Sequence, residues 1–205
     1  MDQSVRDIEG VLLAGGKSRR MGKDKRELLV GSETLLERAL KVYESVFSQI
    51  KIVVAEHSPV TDTLSHQVLT DIFPNKGPVG GLFTALSRSA SLSVFLAACD
   101  MPFLSASLIR RICELSHGFD VTMVQLSTGM QPMQGVYSRR CTPILKEMIE
   151  DDQLEMRQIL SHPDLKTHVV EECQIQDLDQ NFLSFMNVNT PSDLEMANKL
   201  LRSSR

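Results

Sequence analysis

A group of cations directly behind an apolar run is the part of this chain best suited to chemistry. Val11-Leu12-Leu13-Ala14 stops at Gly15-Gly16; Lys17, Arg19, Arg20 and Lys23 follow, with Gly22 among them and Lys25 close behind. An apolar strand that empties into a glycine-rich, cationic loop is how α/β proteins build a phosphate site. Glycine lets the backbone approach the anion, backbone N–H groups point at its oxygens, and the basic side chains add charge. Counting excludes two familiar phosphate loops. Gly16-Lys17-Ser18 looks like the end of a P-loop, but the glycine needed earlier falls on Val11, and Gly10 is one residue too early. The dinucleotide fingerprint fails because Gly15 and Gly16 are adjacent and the next glycine is Gly22.

Further along, polar residues stand where elements should end. Asp100 follows an apolar run and precedes Met101-Pro102. Proline lacks a backbone N–H and disfavours helix in the residue before it, so a strand ends there with a carboxylate at its rim. That carboxylate suits magnesium, which is held by one or two carboxylates plus substrate phosphates, or else a turn or helix cap. Asp71 leads into Ile72-Phe73-Pro74-Asn75-Lys76-Gly77-Pro78, and Gly77-Pro78 marks a turn opening a helix at Val79. Gly80-Gly81 then permits either close approach of a flat ligand or helix–sheet packing. Asn187 and Asn189 flank Val188 at the end of an expected strand, and extended geometry puts i and i+2 on one face. Thr190 serves as N-cap, Pro191 fits the first helical position, and Asp193 sits three after the cap. Lys25 either pairs with Asp24 or contacts phosphate. The five histidines are scattered, and no serine or cysteine stands in a recognisable triad.

The stretch Leu13-Ala14-Gly15-Gly16-Lys17-Ser18-Arg19-Arg20-Met21-Gly22-Lys23-Asp24-Lys25 resembles the signature loop of the molybdenum cofactor guanylyltransferases, within the wider nucleotidyltransferase superfamily. Three later stretches match in order: Gly77-Pro78-Val79-Gly80-Gly81-Leu82, Cys99-Asp100-Met101-Pro102-Phe103-Leu104 and Asn187-Val188-Asn189-Thr190-Pro191-Ser192-Asp193-Leu194. The resemblance implies transfer of GMP from GTP to molybdopterin, giving the guanine dinucleotide cofactor and pyrophosphate. It implies Arg20, Lys25 and Asp100 as the catalytic set, with Arg20 and Lys25 on the triphosphate and Asp100 on Mg2+. Leu13, Ala14, Gly15, Gly16, Asp71, Gly77 and Pro78 would join Lys25 and Asp100 around the nucleotide. Asn187 and Asn189 would hold the acceptor's pyrophosphate region and help with the metal. Apo-molybdoenzymes and their chaperones are the implied partners. A substrate phosphate can attack the α-phosphorus directly, so no protein nucleophile is needed.

This chain departs from that family where the acceptor is expected. Gln131-Pro132 stands where His-Pro is common, and Asp152-Gln153-Leu154-Glu155-Met156-Arg157 replaces a glycine-plus-basic run, leaving only Arg157. Other readings stay open: transfer of another base such as cytidylyl, or a nucleotide-binding module without chemistry. Ala14-Gly15-Gly16 and Gly77-Pro78 favour guanine over cytosine, and a pure binder need not keep Asp100, Asn187 and Asn189.

The elements that must position these residues alternate. Strands are expected at 8–14, 50–55, 67–70, 93–98, 119–125, 133–138, 167–171 and 182–188, and helices at 33–47, 79–89, 105–116, 139–150, 154–160 and 192–201. Continuous apolar strands such as Val94-Phe95-Leu96-Ala97-Ala98 suit a sheet covered on both faces. Alternation argues for a three-layer α/β/α sandwich with a Rossmann-like, mostly parallel sheet, and the resemblance implies the nucleotide-diphospho-sugar transferase type. Ligands bind beyond the carboxyl ends of such strands, so the loops after Leu13, Leu69 and Ala98 should meet. At 205 residues one domain is expected over 1–205, with the nucleotide side at about 8–104 and the acceptor side at about 105–201. A net charge of −4, with the cations gathered near the N-terminus, suits a small polyanion better than nucleic acid. No secretory segment or membrane span is read, and Cys99, Cys113, Cys141 and Cys173 show no C-x-x-C spacing, so a cytoplasmic protein with reduced thiols and no zinc is expected.

Overall fold

The computed structural model describes residue 5 and residues 7–14, 25–55 and 64–203. The first apolar run is strand β1, Ile8–Leu13. Six further strands join it in one sheet: β4 Ile50–Val54, β5 Gln67–Thr70, β6 Ser93–Ala98, β7 Val121–Leu126, β8 Gly129–Ser138 and β9 Thr167–Glu171. Their order is β5-β4-β1-β6-β8-β7-β9. Only β8 runs against the others, pairing antiparallel with both β6 and β7. The reason is local: Ser127-Thr128 alone separates β7 from β8, and a two-residue loop can join only antiparallel strands.

Helices cover both faces, as the strand–helix alternation implies. Helix α1, Leu35–Glu44, and helix α3, Ala106–Leu115, bury Leu36, Tyr43, Leu108 and Ile112 against Leu12, Ile52, Phe95 and Ala97. Helix α2, Gly77–Arg88, and helix α4, Cys141–Glu150, bury Leu82, Leu86, Leu145 and Ile149 against Val11, Val53, Leu96 and Met123. Helix α5, Pro191–Ser203, closes a third, smaller core described below. Gly10, one residue out of place for a P-loop, has a packing role: a Cβ there would meet Phe47 Cδ2 at 2.5 Å and Tyr43 Cδ1 at 2.8 Å. It admits the Tyr43–Phe47 ring pair, whose Tyr43 hydroxyl donates to the Val11 carbonyl at 3.2 Å.

Three segments differ from the sequence reading. Residues 182–188 are not a strand. Phe182 has φ 50°, in the left-handed region, and Leu183–Phe185 form a 3-10 turn. Phe185 and Val188 are buried in two of the cores rather than along a ladder. Residues 154–160 form the 3-10 segment Met156–Ser161 rather than an α-helix. The helix expected from residue 33 starts at Leu35, because strands β2, Leu29–Val30, and β3, Glu33–Thr34, form a hairpin just before it. Thr34 then caps α1, accepting from the Glu37 amide at 3.1 Å while Glu37 accepts from the Thr34 amide at 2.8 Å. Among the described residues, no helix is long and apolar enough to cross a membrane.

An ion pair between Lys51 and Glu9 lies inside the fold. The Lys51 ammonium on β4 contacts Glu9 on β1 with side-chain exposures of 6% and 2%, and Ser89 after α2 donates to the other Glu9 oxygen. Removing one partner of such a pair leaves a charge buried without compensation, which costs about 3–5 kcal/mol, whereas replacing both costs far less. Lys51→Met should therefore lower the urea midpoint steeply, and Lys51→Met with Glu9→Gln should recover most of the loss. Urea unfolding of the three proteins checks this; equal midpoints for the single and double variants would contradict it.

Candidate active site

Ala14, Asp71 and Asp100 follow β1, β5 and β6 at one rim of the sheet. The Ala14 amide donates to the Val53 carbonyl at 2.8 Å, the Asp71 amide to Val54 at 2.8 Å, and the Cys99 amide to Leu13 at 3.0 Å. These bonds carry the ladder one residue past β1, β5 and β6. They fix where the half-buried carboxylates of Asp71 and Asp100 leave the sheet. Pro102 is buried, and its carbonyl accepts from Arg38 Nε on α1 at 3.2 Å, pinning the turn after Asp100.

The Asn187–Asn189 segment reaches this rim from the far end of the chain. The Val188 amide donates to the Asp100 carbonyl at 2.9 Å. Val188 is fully buried while Asn187 and Asn189 on either side are exposed. The segment is a loop rather than a strand, and the Asn187 side-chain amide donates to the Phe185 carbonyl at 3.4 Å. Its ends are fixed. Asp193 accepts from the Asn189 and Thr190 amides at 2.9 and 2.8 Å, and Thr190 Oγ1 accepts from the Asp193 amide at 3.2 Å. That is the cap read from the sequence, with Pro191 opening α5.

Two residues that the sequence reading missed hold the other end. Asp179 accepts from the Leu183 and Ser184 amides at 3.0 and 2.8 Å. Gln134, fully buried on β8 with φ 76°, donates from Nε2 to the Ser184 carbonyl at 2.6 Å. Both bonds span elements remote in sequence or act on a backbone turn, and no local pattern marks them.

Gly15, Gly16 and Arg20 lie outside the described residues, as do Lys17, Arg19, Gly22, Lys23 and Asp24. Lys25 opens the 3-10 turn Lys25–Glu27, which leads straight into Leu28. Leu28 and Val30 share the third core with Leu35, Val188 and Ala197. The end of the cationic loop and the Asn187–Asn189 segment are thus anchored in the same apolar cluster. The Gly31 amide adds a bond to Asn198 Oδ1 on α5 at 2.9 Å.

On the other side of the rim, α2 starts at Gly77 with φ 58° and Pro78 in its first turn, without a side-chain cap. Both residues are exposed. Asn75, at φ 71°, makes the preceding tight turn, a conformation asparagine tolerates better than most residues. Gly80 and Gly81 are packing glycines. A Cβ on Gly80 would lie 2.7 Å from the Phe73 carbonyl oxygen, and one on Gly81 would lie 2.9 Å from Leu13 Cδ2. Leu13 itself is half-buried under α2.

The acceptor-side stretch is less open than its charges suggest. Arg157 is forked onto Glu155 at 3.0 and 2.9 Å, Asp152 pairs with Lys76 at 2.8 Å, and Gln131 Nε2 donates to the Gly129 carbonyl at 3.0 Å. A separate cavity of about 400 Å³, lined by Arg140, Glu147, His162 and Asp164 among others, sits at the opposite end of the sheet, where β9 begins. Burial pushes the Cys141 thiol up to about 12 and raises Cys113 as well, so neither is a thiolate near neutral pH.

A mostly parallel sheet whose carboxyl rim carries the carboxylates of Asp71 and Asp100 and the end of β1 at Ala14 fits an α/β nucleotidyltransferase. The chain belongs to the family described as the MobA-like NTP transferase domain, whose model matches residues 10–168. It is 35% identical over 198 residues to a probable molybdenum cofactor guanylyltransferase of Pelotomaculum thermopropionicum, covering 96% of this chain and 94% of that protein. It is 28% identical to a molybdenum cofactor guanylyltransferase of Desulfosudis oleivorans, covering 97% and 98%. In fold it is similar to molybdopterin-guanine dinucleotide biosynthesis protein A from Archaeoglobus fulgidus, with TM-score 0.84 and 22% identity over 96% of this chain and 100% of that one. It is also similar to a 2-C-methyl-D-erythritol 4-phosphate cytidylyltransferase from Thermus thermophilus, with TM-score 0.70 and 15% identity over 94% and 98%.

The Gly80 contact yields a direct test. Its neighbour is a backbone oxygen in the turn that carries Asp71, so Gly80→Ala must displace that turn. Forced overpacking of this kind costs about 1–3 kcal/mol. Chemical denaturation should show that loss; an unchanged midpoint would mean the turn yields freely.

Proposed function

We propose that this chain transfers GMP from GTP to molybdopterin, forming the guanine dinucleotide cofactor and pyrophosphate. The observation that carries the proposal is the meeting of Asp100 with the Asn187–Asn189 segment through the Val188 amide, after β6 and next to β1, the strand that precedes the cationic stretch. Full-length similarity to proteins named as molybdenum cofactor guanylyltransferases supports both the base and the acceptor.

On this reading the part up to about residue 104 seats the nucleotide and residues from about 105 to 201 serve the acceptor. Gly15 and Gly16 approach the triphosphate through backbone N–H groups, and Arg20 and Lys25 neutralise it. Leu13, Ala14, Asp71, Gly77 and Pro78 frame the nucleoside. Asn187 and Asn189 orient the acceptor. The terminal phosphate oxygen of molybdopterin then forms a bond to the α-phosphorus of GTP while the bond from that phosphorus to the bridging oxygen of the β-phosphate breaks. Pyrophosphate leaves with its charge held by the loop cations. Alignment and charge neutralisation do the work, and no covalent enzyme intermediate is needed.

Magnesium fits this donor set. Among the described residues no group of three or more His, Cys, Asp or Glu forms a cage, and magnesium at phosphate sites needs only one or two carboxylates plus the phosphates themselves. Asp100, aided by Asn187 and Asn189, would hold it. When bound, the ion neutralises charge developing on the transferred phosphate. The same reading includes a cytoplasmic location and delivery of the product to apo-molybdoenzymes and their chaperones.

Asp100→Asn keeps the side-chain shape and removes the charge. By comparison with single-donor losses elsewhere it should cost roughly 3 kcal/mol, about a hundredfold in rate. Pyrophosphate release from GTP, magnesium and molybdopterin measures this directly. Wild-type protein should release it with GTP and not with CTP. A variant turning over at wild-type rate in saturating magnesium would remove Asp100 from the reaction.

A further inference from the structure

We infer that Thr84 is a positioning residue for Asp71, fixing which carboxylate oxygen faces the nucleotide; this rests on the reading above that Asp71 contacts the nucleoside. Thr84 lies on α2 and is fully buried. Its hydroxyl accepts from the Ile72 amide at 2.9 Å and lies 2.8 Å from Asp71 Oδ1. A hydroxyl has one proton, and a carboxylate can only accept, so Thr84 donates to Asp71. The Phe73 amide donates to the same Oδ1 at 3.0 Å. That oxygen therefore has both its acceptor positions filled from inside the protein.

The other oxygen is treated differently. Among the described residues no donor reaches Asp71 Oδ2. It lies on the Gly80 side, where a Cβ would come within 3.2 Å of it. Glycine at 80 lets that oxygen sit against the start of α2 next to Lys76, close to the exposed Gly77-Pro78 turn. An aspartate carboxylate otherwise rotates between two equivalent faces. The bonds from Thr84 and Phe73 remove that freedom before a ligand arrives, presenting one fixed acceptor to a sugar hydroxyl or ring N–H. Ordering done in advance is ordering the ligand need not supply. Because the hydrogen bonds of the Thr84 hydroxyl go to the Asp71 turn, its effect should fall on the nucleoside half of the ligand and spare the phosphates.

The test uses the whole chain with magnesium and two probes, GTP and inorganic triphosphate, titrated calorimetrically. Thr84→Val keeps the shape and loses the hydroxyl; Thr84→Ser restores it. Thr84→Val should weaken GTP about tenfold, the scale of one hydrogen bond to a charged group, with triphosphate affinity unchanged. Thr84→Ser should bind GTP like wild type. In an Asp71→Ala background, Thr84→Val should have no further effect on GTP. Thermal melts taken alongside separate a folding defect, and Thr84→Ala carries the same comparison if the valine variant does not fold. Equal loss for both probes, failure of serine to rescue, or an undiminished effect without Asp71 would each overturn the assignment. Wild-type preference for another nucleotide over GTP would overturn the guanine reading alone, since the Thr84 comparison then runs with that nucleotide. Wild-type protein binding GTP no better than triphosphate would overturn both.

Discussion

A backbone hydrogen bond from the Val188 amide to the Asp100 carbonyl joins the last part of the chain to the end of β6 at the rim of the sheet. It is not part of a ladder, so it holds only because both partners are fixed by other means. Asp100 is fixed by β6 behind it and the buried Met101-Pro102 ahead of it. Val188 is fixed by the small core it shares with Leu28, Val30, Leu35 and Ala197. That core is the energetic counterpart of the bond. Fully burying a leucine or valine side chain is worth about 1.5–3 kcal/mol, and Leu28 and Val188 lie close in sequence to the segments proposed to act on phosphate and acceptor. Apolar packing at the edge of the domain thus does what a long-range polar contact alone would not: it brings residues 25–30 and 187–189 to Asp100.

The opposite side of the rim is built on a different principle. There the turn from Asp71 to Gly77 is held by polar bonds and by close approach. Thr84 and the Phe73 amide occupy one oxygen of Asp71, and two glycines let α2 sit against that turn and Leu13. The result is a stiff turn on one side of the rim and, on the other, a segment whose position depends on core packing. The division matches the two proposed substrates, one seated by that turn and one aligned by the Asn187–Asn189 segment.

Much of this was legible in the sequence where the signal is local. Met101-Pro102 after an apolar run, Gly77-Pro78 before a helix, and Thr190-Pro191 with Asp193 are each short patterns whose chemistry is complete within a few residues. What was not legible depends on partners far away. Residues 182–188 are rich in apolar side chains, but Asp179 and Gln134 claim backbone groups of Leu183 and Ser184, and Phe182 turns left-handed. The β2–β3 hairpin escaped notice because its strands are two residues each, too short for periodicity to register. Gly10 looked like a displaced loop glycine and proved to be the place where two aromatic rings meet β1. Gln134 and Thr84 have no sequence signature at all.

The central claim is that Asp100 and the asparagine segment act as one site, and a double-mutant cycle tests it most directly. Single-turnover GMP transfer to molybdopterin would be measured for wild type, Asp100→Asn, Asn189→Ala and the double variant. Groups that act together are non-additive, with coupling of about 0.5–3 kcal/mol. The account predicts that the double variant is little slower than the slower single variant. Two losses that simply multiply, within about 0.5 kcal/mol, would show the two groups working independently and contradict it.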